Sequence, residues 1–232
     1  IGRVVRIIGS VFWRRPSSYF ERSSWSGKLA VGGRPVLDSP IQNAGAHFLH
    51  ILLEAAAAAG LTITGVTAEH ARAYEIETAD LQVLRLHSRS GETTRDGSGA
   101  SGTELFFIAQ HSCHRERIPE VRVTGTAGEL VWRYPNELYK RAPGSKGSAQ
   151  EELLVSGIAG TALNGLALRR CLEDPTDGVD WRSAAAHLRI VTAAFGGENA
   201  PGFPISPVGE LHQSRDRAEP GVVLERGHEV GG

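Results

Sequence analysis

The middle of the chain, from Leu61 to Trp132, is a succession of short apolar-rich segments separated by polar turns. Val, Ile, Thr and aromatic residues recur in the segments, and these residues suit the pleated, half-buried surface of a strand. Gly, Ser, Asp and Pro occupy the intervals, which is typical of strands joined by tight turns. The pattern therefore predicts an antiparallel meander with the strands TITGVTAEHARAY, LQVLRLHS, ELFFIAQHS, EVRVTG and ELVWRY.

Helical patterns flank this meander on both sides. A helix is expected to begin near Pro40, because Asp38 or Ser39 can accept a hydrogen bond from a free amide there. Gly60 is a natural stop. The apolar residues recur at helical spacing and predict a core face formed by Ile41, Ala44, Phe48, Leu52 and Ala55. Two further helical patterns follow Gln150, in EELLVSGIAGTALNGLALRRCLED and DWRSAAAHLRIVTAAFGG.

Strand and helix patterns are segregated along the chain, which predicts an α+β fold with an open, mainly antiparallel sheet and helices packed on one face. The opening run VVRIIGSVFW adds one more strand to it. We expect a single domain over 1–232, with a long functional loop at 14–34, a mobile hairpin tip at 88–102 and an extended tail at 197–232. No G-x-G-x-x-G opens a helix after a strand, so a doubly wound nucleotide-binding fold is not expected here.

Composition narrows the classes of partner. Lys and Arg number 25 against 26 Asp and Glu, so bulk charge gives no attraction to nucleic acid or to an anionic membrane. No run reaches the roughly 20 apolar residues of a membrane-spanning helix. The two cysteines make no disulfide framework, which favours a reducing cytoplasm. The sequence contains no methionine, so we expect a processed product or a piece of a longer protein.

Polar residues of types that commonly serve in binding or catalysis line the predicted first helix. Asn43, His47, His50 and Glu54 recur at offsets of three and four, and so form one stripe beside the apolar face. Such a stripe either faces solvent, as polar stripes commonly do, or lines a cleft in which His47 exchanges a proton with a hydroxylated substrate. Spacing alone leaves both interpretations open.

Other site types have less support. The pairs His47–His50 and His111–His114 lack the spacing of zinc sites, and residues three apart on a strand point to opposite faces, so no metal is predicted. No G-x-S-x-G elbow for acyl transfer is present. The arginines and aromatic residues between Trp13 and Trp25 favour an arginine-lined pocket for a carboxylate or phosphate over nucleic-acid binding.

Taken in order, these pieces resemble the C-terminal domain of the glucose-fructose oxidoreductase, inositol dehydrogenase and rhizopine-catabolism family (Gfo/Idh/MocA). The resemblance covers most of the chain and rests on the ordered set, since no single motif is strong. The matching pieces are GRVVRIIGSVFW, GGRPVLDSP, VTGTAGELVW and LNGLALRRCLEDPTDGVDWRSAAAHLRIVTAAF.

The resemblance implies a set of site residues. In that family the helix opened by an aspartate commonly reads D-x-x-x-H, and the histidine transfers a proton during hydride transfer. This chain has Asp38 but carries Gln42 at the histidine position, so His47 becomes the substitute. The expected catalytic residues are Asp38 and His47, and the expected substrate-binding residues are Arg22, Trp25, Lys28, Gln42, Asn43 and His111.

Two hypotheses about function follow from the resemblance. In the first, the chain is the substrate-binding and oligomerisation domain of an NAD(P)-dependent oxidoreductase acting on a sugar, cyclitol or related polyol. An N-terminal Rossmann domain outside this chain would then bind NAD or NADP. In the second, it is a non-catalytic assembly or small-molecule-binding domain. Both imply a homodimer or homotetramer that covers the open sheet face.

Overall fold

A computed structural model of the chain describes residues 1–90, 102–142, 151–156 and 181–195. The predicted hairpin tip between 91 and 101, the helical pattern over 157–174 and the tail from 197 lie outside these residues. The described residues form ten strands, two α-helices and one short 3-10 helix at Ser17–Glu21. The strands are β1 Val4–Phe12, β2 Ala30–Val31, β3 Arg34–Pro35, β4 Leu61–Ala71, β5 Leu81–Ser90, β6 Glu104–Gln110, β7 Arg117–Gly125, β8 Gly128–Arg133, β9 Glu137–Arg141 and β10 Glu151–Val155; the helices are α1 Ala46–Ala58 and α2 Trp181–Ala194.

Eight of the strands form one sheet in the order β10-β9-β8-β7-β1-β6-β5-β4. All neighbours are antiparallel except β1 and β6, which run parallel with Phe12 opposite Gln110. The opening strand lies between β6 and β7, so the single meander predicted over Leu61–Trp132 is wrong at that point: β1 divides it into two. This arrangement confirms the predicted α+β class and the mainly antiparallel sheet.

The two faces of the sheet differ in burial. Alternate residues of the central strands, such as Ile7, Val11 and Phe107, pack under α1 and are almost fully buried. Residues of α2, including Val191, belong to the same hydrophobic cluster, so both helices cover one face. We call the opposite side of the sheet the outer face. It carries half-buried apolar residues on the central strands and a set of paired charges on β7 to β10, formed by Glu120, Arg122, Glu129, Arg133, Arg141 and Glu151.

The first helix starts later than its sequence predicts. Residues 39–45 form turns, and α1 begins at Ala46. The amide of Ile41 donates to the side chain of Gln82, while the amide of Gly45 donates to the carbonyl of Pro40 and so closes a wider turn than a helix contains. A Cβ on Gly45 would lie 2.5 Å from that Pro40 carbonyl oxygen, so the turn requires glycine. The predicted stop at Gly60, which has φ +71°, is confirmed.

The segment after Gln150 also differs from its predicted structure. Residues Glu151–Val155 form β10, where the helical pattern EELLV predicts a helix. The backbone pairs with β9, and the Glu151 carboxylate accepts hydrogen bonds from Arg133 and Arg141. These partners lie on other strands of the sheet. The spacing of apolar residues within EELLV therefore gives no sign of them. The helix predicted from Asp180 is confirmed as α2.

The helices in the described ranges are too short or too polar to cross a lipid bilayer.

Candidate functional site

The ends of β1 and β6 place a loop and a histidine side by side. Because β1 and β6 are parallel neighbours, their C-terminal ends lie side by side, and the segments that follow them begin next to each other. Beyond the strands, the amide of Trp13 donates to the Gln110 carbonyl, and the amide of Arg15 donates to the His111 carbonyl at 2.8 Å. The start of the loop at 14–34 is therefore fixed against His111.

The loop itself holds two short elements that its Ser- and Gly-rich composition does not predict. The 3-10 helix Ser17–Glu21 presents Tyr19, and β2 pairs with β3 as a two-residue hairpin. Gly32 and Gly33 form the turn with φ of +56° and +75°, a conformation that side chains other than glycine rarely adopt. The glycine pair is thus explained by turn geometry and needs no role in binding.

Tyr19 is the centre of the candidate site. Its hydroxyl accepts hydrogen bonds from Arg22 at 2.7 Å and from the side-chain amide of Asn43 at 3.1 Å. Its ring lies 6.2 Å from the ring of His111, and the Arg15 guanidinium carbon lies 4.9 Å from the Tyr19 centroid. We call these five residues the Tyr19 cluster. It joins the loop, the turn before α1 and the end of β6.

Asp38 connects this cluster to the rest of the loop. One carboxylate oxygen accepts from the Gly27 amide at 2.8 Å, and the other accepts from the Asn43 side chain at 3.0 Å. Its main-chain carbonyl accepts from the Thr78 hydroxyl at 2.6 Å. Because the side chain is buried and both of its oxygens are bonded, Asp38 holds the loop and the turn in place.

Several buried polar atoms around the cluster have no hydrogen-bond partner within the described residues. They are Arg15 Nε, Ser39 Oγ, Gln42 Oε1 and His111 Nε2. A buried polar group without a partner costs free energy, so native folds rarely keep one without a reason. Arg15 and His111 belong to the cluster, and Ser39 and Gln42 lie in the turn that carries Asn43. Unpartnered polar groups on these segments are expected where a polar ligand supplies the missing partners.

His111 is electrically neutral near pH 7. Burial, with the positive charges of Arg15 and Arg22, lowers the pKa of His111 to about 4. A neutral imidazole both donates and accepts hydrogen bonds. A group with so low a pKa is a weak proton acceptor at neutral pH, which suits His111 to substrate binding more than to general base catalysis.

Trp25 and Lys28, two predicted binding residues, have different partners. The Arg22 guanidinium carbon stands 3.9 Å from the centroid of Tyr19 and 4.6 Å from that of Trp25, whose side chain is 40% exposed. Lys28 points to a different partner, Glu77, with Nζ and Oε1 2.8 Å apart. The structure therefore brings Trp25 to the cluster and engages Lys28 with the 72–80 loop.

The predicted polar stripe is divided. Asn43 lies in the turn before α1, whereas His47 and His50 lie on α1 beside α2, close enough for their charges to act on His187. His47 is exposed, and within the described residues no hydrogen bond or ring contact joins it to the Tyr19 cluster. Of the predicted neighbourhood, Asp38 and Asn43 are in direct contact, whereas His47 lies apart from both on α1.

An open cleft adjoins the same loop. It has a volume of about 570 Å³ and is lined by Arg14, Pro16, His114, Arg115 and Glu116. The Glu116 carboxylate accepts from the Arg14 amide at 3.1 Å. In the described ranges, no three His, Cys, Asp or Glu side chains converge as metal ligands.

Tyr19 and Arg15 are not among the binding residues that the sequence predicts. The available signal was the alternation of arginine and aromatic residues in RRPSSYFERSSW, which the sequence interpretation connected with an arginine-lined pocket. Pattern alone did not show that the 3-10 turn folds Tyr19 back onto Asn43, because that contact spans 24 residues.

Comparison with known proteins identifies the fold. No family model and no curated protein sequence matches the chain. Among solved structures it is similar to the WlbA dehydrogenase from Bordetella pertussis, solved in complex with NADH and UDP-GlcNAcA, with a TM-score of 0.57 and 17% identity over 84% of this chain and 52% of that one. For UDP-N-acetylglucosamine 3-dehydrogenase GnnA from Acidithiobacillus ferrooxidans the TM-score is 0.53 and the identity 12%, over 84% and 55% of the two chains.

Levoglucosan dehydrogenase, solved with NADH and levoglucosan, gives a TM-score of 0.55 and 15% identity over 84% of this chain and 56% of its own. The chain thus spans about half the length of the dehydrogenases that it matches. These structural neighbours are sugar dehydrogenases of the Gfo/Idh/MocA type, and the resemblance expected from the sequence is confirmed at the level of the fold.

Proposed function

We propose that the chain is the substrate-binding part of an NAD(P)-dependent oxidoreductase that acts on a sugar, cyclitol or related polyol. Its fold is that of half of several sugar dehydrogenases, three of them solved with NADH. The observation that carries the proposal is a pair of buried atoms without a hydrogen-bond partner in the described residues: His111 Nε2, in the Tyr19 cluster, and Gln42 Oε1, in the turn that carries Asn43. A cytoplasmic location stays a prediction.

The chemistry of the cluster suits a polyol. Sugar hydroxyls donate and accept hydrogen bonds, so one molecule can donate to Gln42 Oε1 and also pair with the neutral imidazole of His111. The rings of Tyr19 and Trp25 offer apolar surface for the C–H face of a sugar, with few rotatable bonds to immobilise. Asp38 acts here as a positioning residue, because both its oxygens already bind the protein.

The described residues do not make a dinucleotide site. Their one parallel strand pair, β1 and β6, is not followed by a glycine-rich turn that opens a helix. We therefore assign NAD(P) binding mainly to the part of the oxidoreductase outside this chain.

Sugar affinity tests the proposal. Calorimetric titration of the chain with D-glucose and with myo-inositol should show binding of at least one of them. Gln42→Met has the same length but removes the acceptor, and His111→Gln replaces the imidazole; each should weaken binding about tenfold, as expected when a buried polar contact is lost. Gln110→Met and His87→Gln are the matched controls. Unchanged affinity in both site variants would contradict the proposal.

His47 remains a predicted proton carrier. Because its exposed imidazole lies on α1 outside the Tyr19 cluster, His47→Ala should leave sugar affinity unchanged. In the intact oxidoreductase, a fall in rate with normal nicotinamide binding would support proton transfer by His47. An unchanged rate removes that role.

We also propose that a second copy of the chain packs on the outer face, giving the predicted dimer or tetramer. The support is the half-buried strip of Ile8, Phe106 and Ile108 on the central strands, opposite the helix-covered face. Light scattering should find an oligomer that Phe106→Glu converts to monomers, whereas Glu104→Gln, on the same strand, leaves it intact. A monomeric wild-type chain would refute this assembly and, with it, the non-catalytic alternative of a pure assembly domain.

A further inference from the structure

Two arginines of the Tyr19 cluster carry charges that no carboxylate of the described residues neutralises. In the described residues, neither Arg15 nor Arg22 has a carboxylate within ion-pair distance, although nine other ion pairs are formed there. Arg15 Nε is also buried without a hydrogen-bond partner. Both guanidinium groups instead stack on the ring of Tyr19, at 4.9 and 3.9 Å from its centroid.

The carboxylate of the site is not their counter-ion. Asp38 accepts from two neutral donors, the Gly27 amide and the Asn43 side chain. The tyrosine hydroxyl does accept from Arg22, but that bond leaves the arginine charge uncompensated. Stacking on an aromatic ring orients a guanidinium group while leaving its N–H edge free to bind an anion.

Building on the proposed function, we infer that the substrate is an anionic polyol, whose carboxylate or phosphate binds between Arg15 and Arg22 while its hydroxyls reach Gln42 and His111. The planar fork of arginine matches both anions and forms charge-assisted hydrogen bonds with them. The two arginines would then determine specificity by charge, and the amide and imidazole would hold the neutral part of the molecule.

The same arrangement has a measurable consequence for His111. Two nearby positive charges contribute to its lowered pKa. An anion bound between the arginines offsets their field, so the pKa of His111 should rise on binding. A neutral sugar brings no charge and should leave the arginine contribution in place.

Three sugars that differ mainly in charge test the inference: D-glucose, D-glucuronate and D-glucose 6-phosphate, titrated into the chain at low salt. At least one anionic sugar should bind about tenfold or more tightly than glucose. Arg15→Gln and Arg22→Gln should each reduce this preference severalfold, and Arg22→Lys should keep most of it. Arg85→Gln is the matched control, because it removes a charge stacked on Phe106 away from the cluster. NMR titration of His111 should show a raised pKa with the anionic sugar alone.

The possible results distinguish the inference about an anionic substrate from the proposed function itself. A preference for glucuronate assigns the charge to a carboxylate, and a preference for the phosphate ester assigns it to a phosphate; both support the inference. Equal affinity for all three sugars, or a charge preference that survives in both glutamine variants, overturns it while the proposed function stands. If none of the three sugars nor myo-inositol binds, the proposed function fails as well.

Discussion

The outer face and the Tyr19 cluster use the same residue types in opposite ways. On the outer face, Arg133 and Arg141 share the carboxylate of Glu151. The other members of the paired set, Glu120, Arg122 and Glu129, also have oppositely charged partners on these strands. In the Tyr19 cluster, Arg15 and Arg22 stack on an aromatic ring and have no acidic partner within the described residues. The difference separates charges that stabilise the fold from charges that remain available to a ligand.

This contrast has a general physical basis. Removing one member of a satisfied pair leaves the other without its partner, so it lowers the free energy of unfolding. Removing a group that has no protein partner costs the fold little but removes a contact to the ligand. Stability and binding should therefore respond to different substitutions in the two regions.

The largest effect is expected at Gly45, whose turn carries Gln42 and Asn43. In Gly45→Ala the new Cβ would lie 2.5 Å from the Pro40 carbonyl oxygen, so the turn must open. We expect a loss of about 2–3 kcal/mol in the free energy of unfolding and a loss of sugar binding. Gly65→Ala is the control, because its Cβ would meet only an ordinary contact at 3.7 Å. Urea denaturation measures both, and equal stability of the two variants would contradict the assigned role of the turn.

The next effect concerns the outer face. Glu151→Gln should lower the free energy of unfolding by about 2 kcal/mol, between the values for exposed and buried ion pairs, and leave sugar affinity unchanged. Glu152→Gln, one residue away and exposed, should change neither.

The contribution of Glu151 to stability should also depend on pH. Hydrogen bonds from Arg133 and then Arg141 lower the pKa of Glu151. Its contribution to the free energy of unfolding is therefore complete above the ordinary carboxyl pKa of about 4.5 and is lost as pH falls through the lowered value. A Glu151→Gln variant with wild-type stability at pH 7 would contradict the pairing.

Docking of α2 should depend on pH through two histidines, with a smaller effect. Gln82 donates to His70 Nδ1, so Nε2 carries the proton and donates to the Ala194 carbonyl at the end of α2. Burial lowers the pKa of both His70 and His187, and the charges of His50 and His47 lower that of His187 further.

Because both histidines have lowered pKa values in the fold, the undocked state takes up protons first. Docking is then strongest above about pH 6.5 and weakens as pH falls through the lowered values. Hydrogen exchange of α2, corrected for intrinsic rates, should be faster at pH 5.5 than at pH 7.5, and His70→Gln should reduce the difference. Equal protection of α2 at both pH values would refute this account.

The smallest effect on stability is expected at Arg22, which is exposed, bonds the neutral Tyr19 hydroxyl and has no acidic partner in the part of the chain that the structure describes. Arg22→Gln should stay within about 0.5 kcal/mol of the wild type in urea denaturation, as surface substitutions usually do. The same variant is expected to lose charge preference in binding, so the two measurements sharpen the contrast with Glu151. A loss of stability as large as that of Glu151→Gln would show that Arg22 supports the fold.

The sequence predicts the sheet because strand patterning is local. Alternating residues such as Ile7 and Val11 show directly that one face is buried, and all five predicted meander strands are present. The sequence-based prediction is wrong where hydrogen bonds between residues far apart in the chain override the local pattern. The amide of Ile41 bonds to Gln82, 41 residues away, so the helix does not start at Pro40, and the EELLV segment joins β9 as a strand.

The candidate site is predictable where its residues are close together in the sequence. Arg22, Trp25 and Asn43 lie close to one another because the loop and the turn follow each other along the chain. Tyr19 becomes the centre only through the parallel pairing of β1 with β6, which places His111 beside the loop. His47 is separated from the others because α1 begins after Asn43, which changes the register of the expected stripe.

The most direct test of the central claim is chemical-shift mapping of the isotopically labelled chain titrated with D-glucuronate. The account predicts that the largest shifts fall on Tyr19, Gln42, Asn43 and His111, with intermolecular contacts from sugar protons to the Tyr19 ring. Shifts that centre on the outer face around Phe106, with no change at Tyr19 and His111, would contradict it.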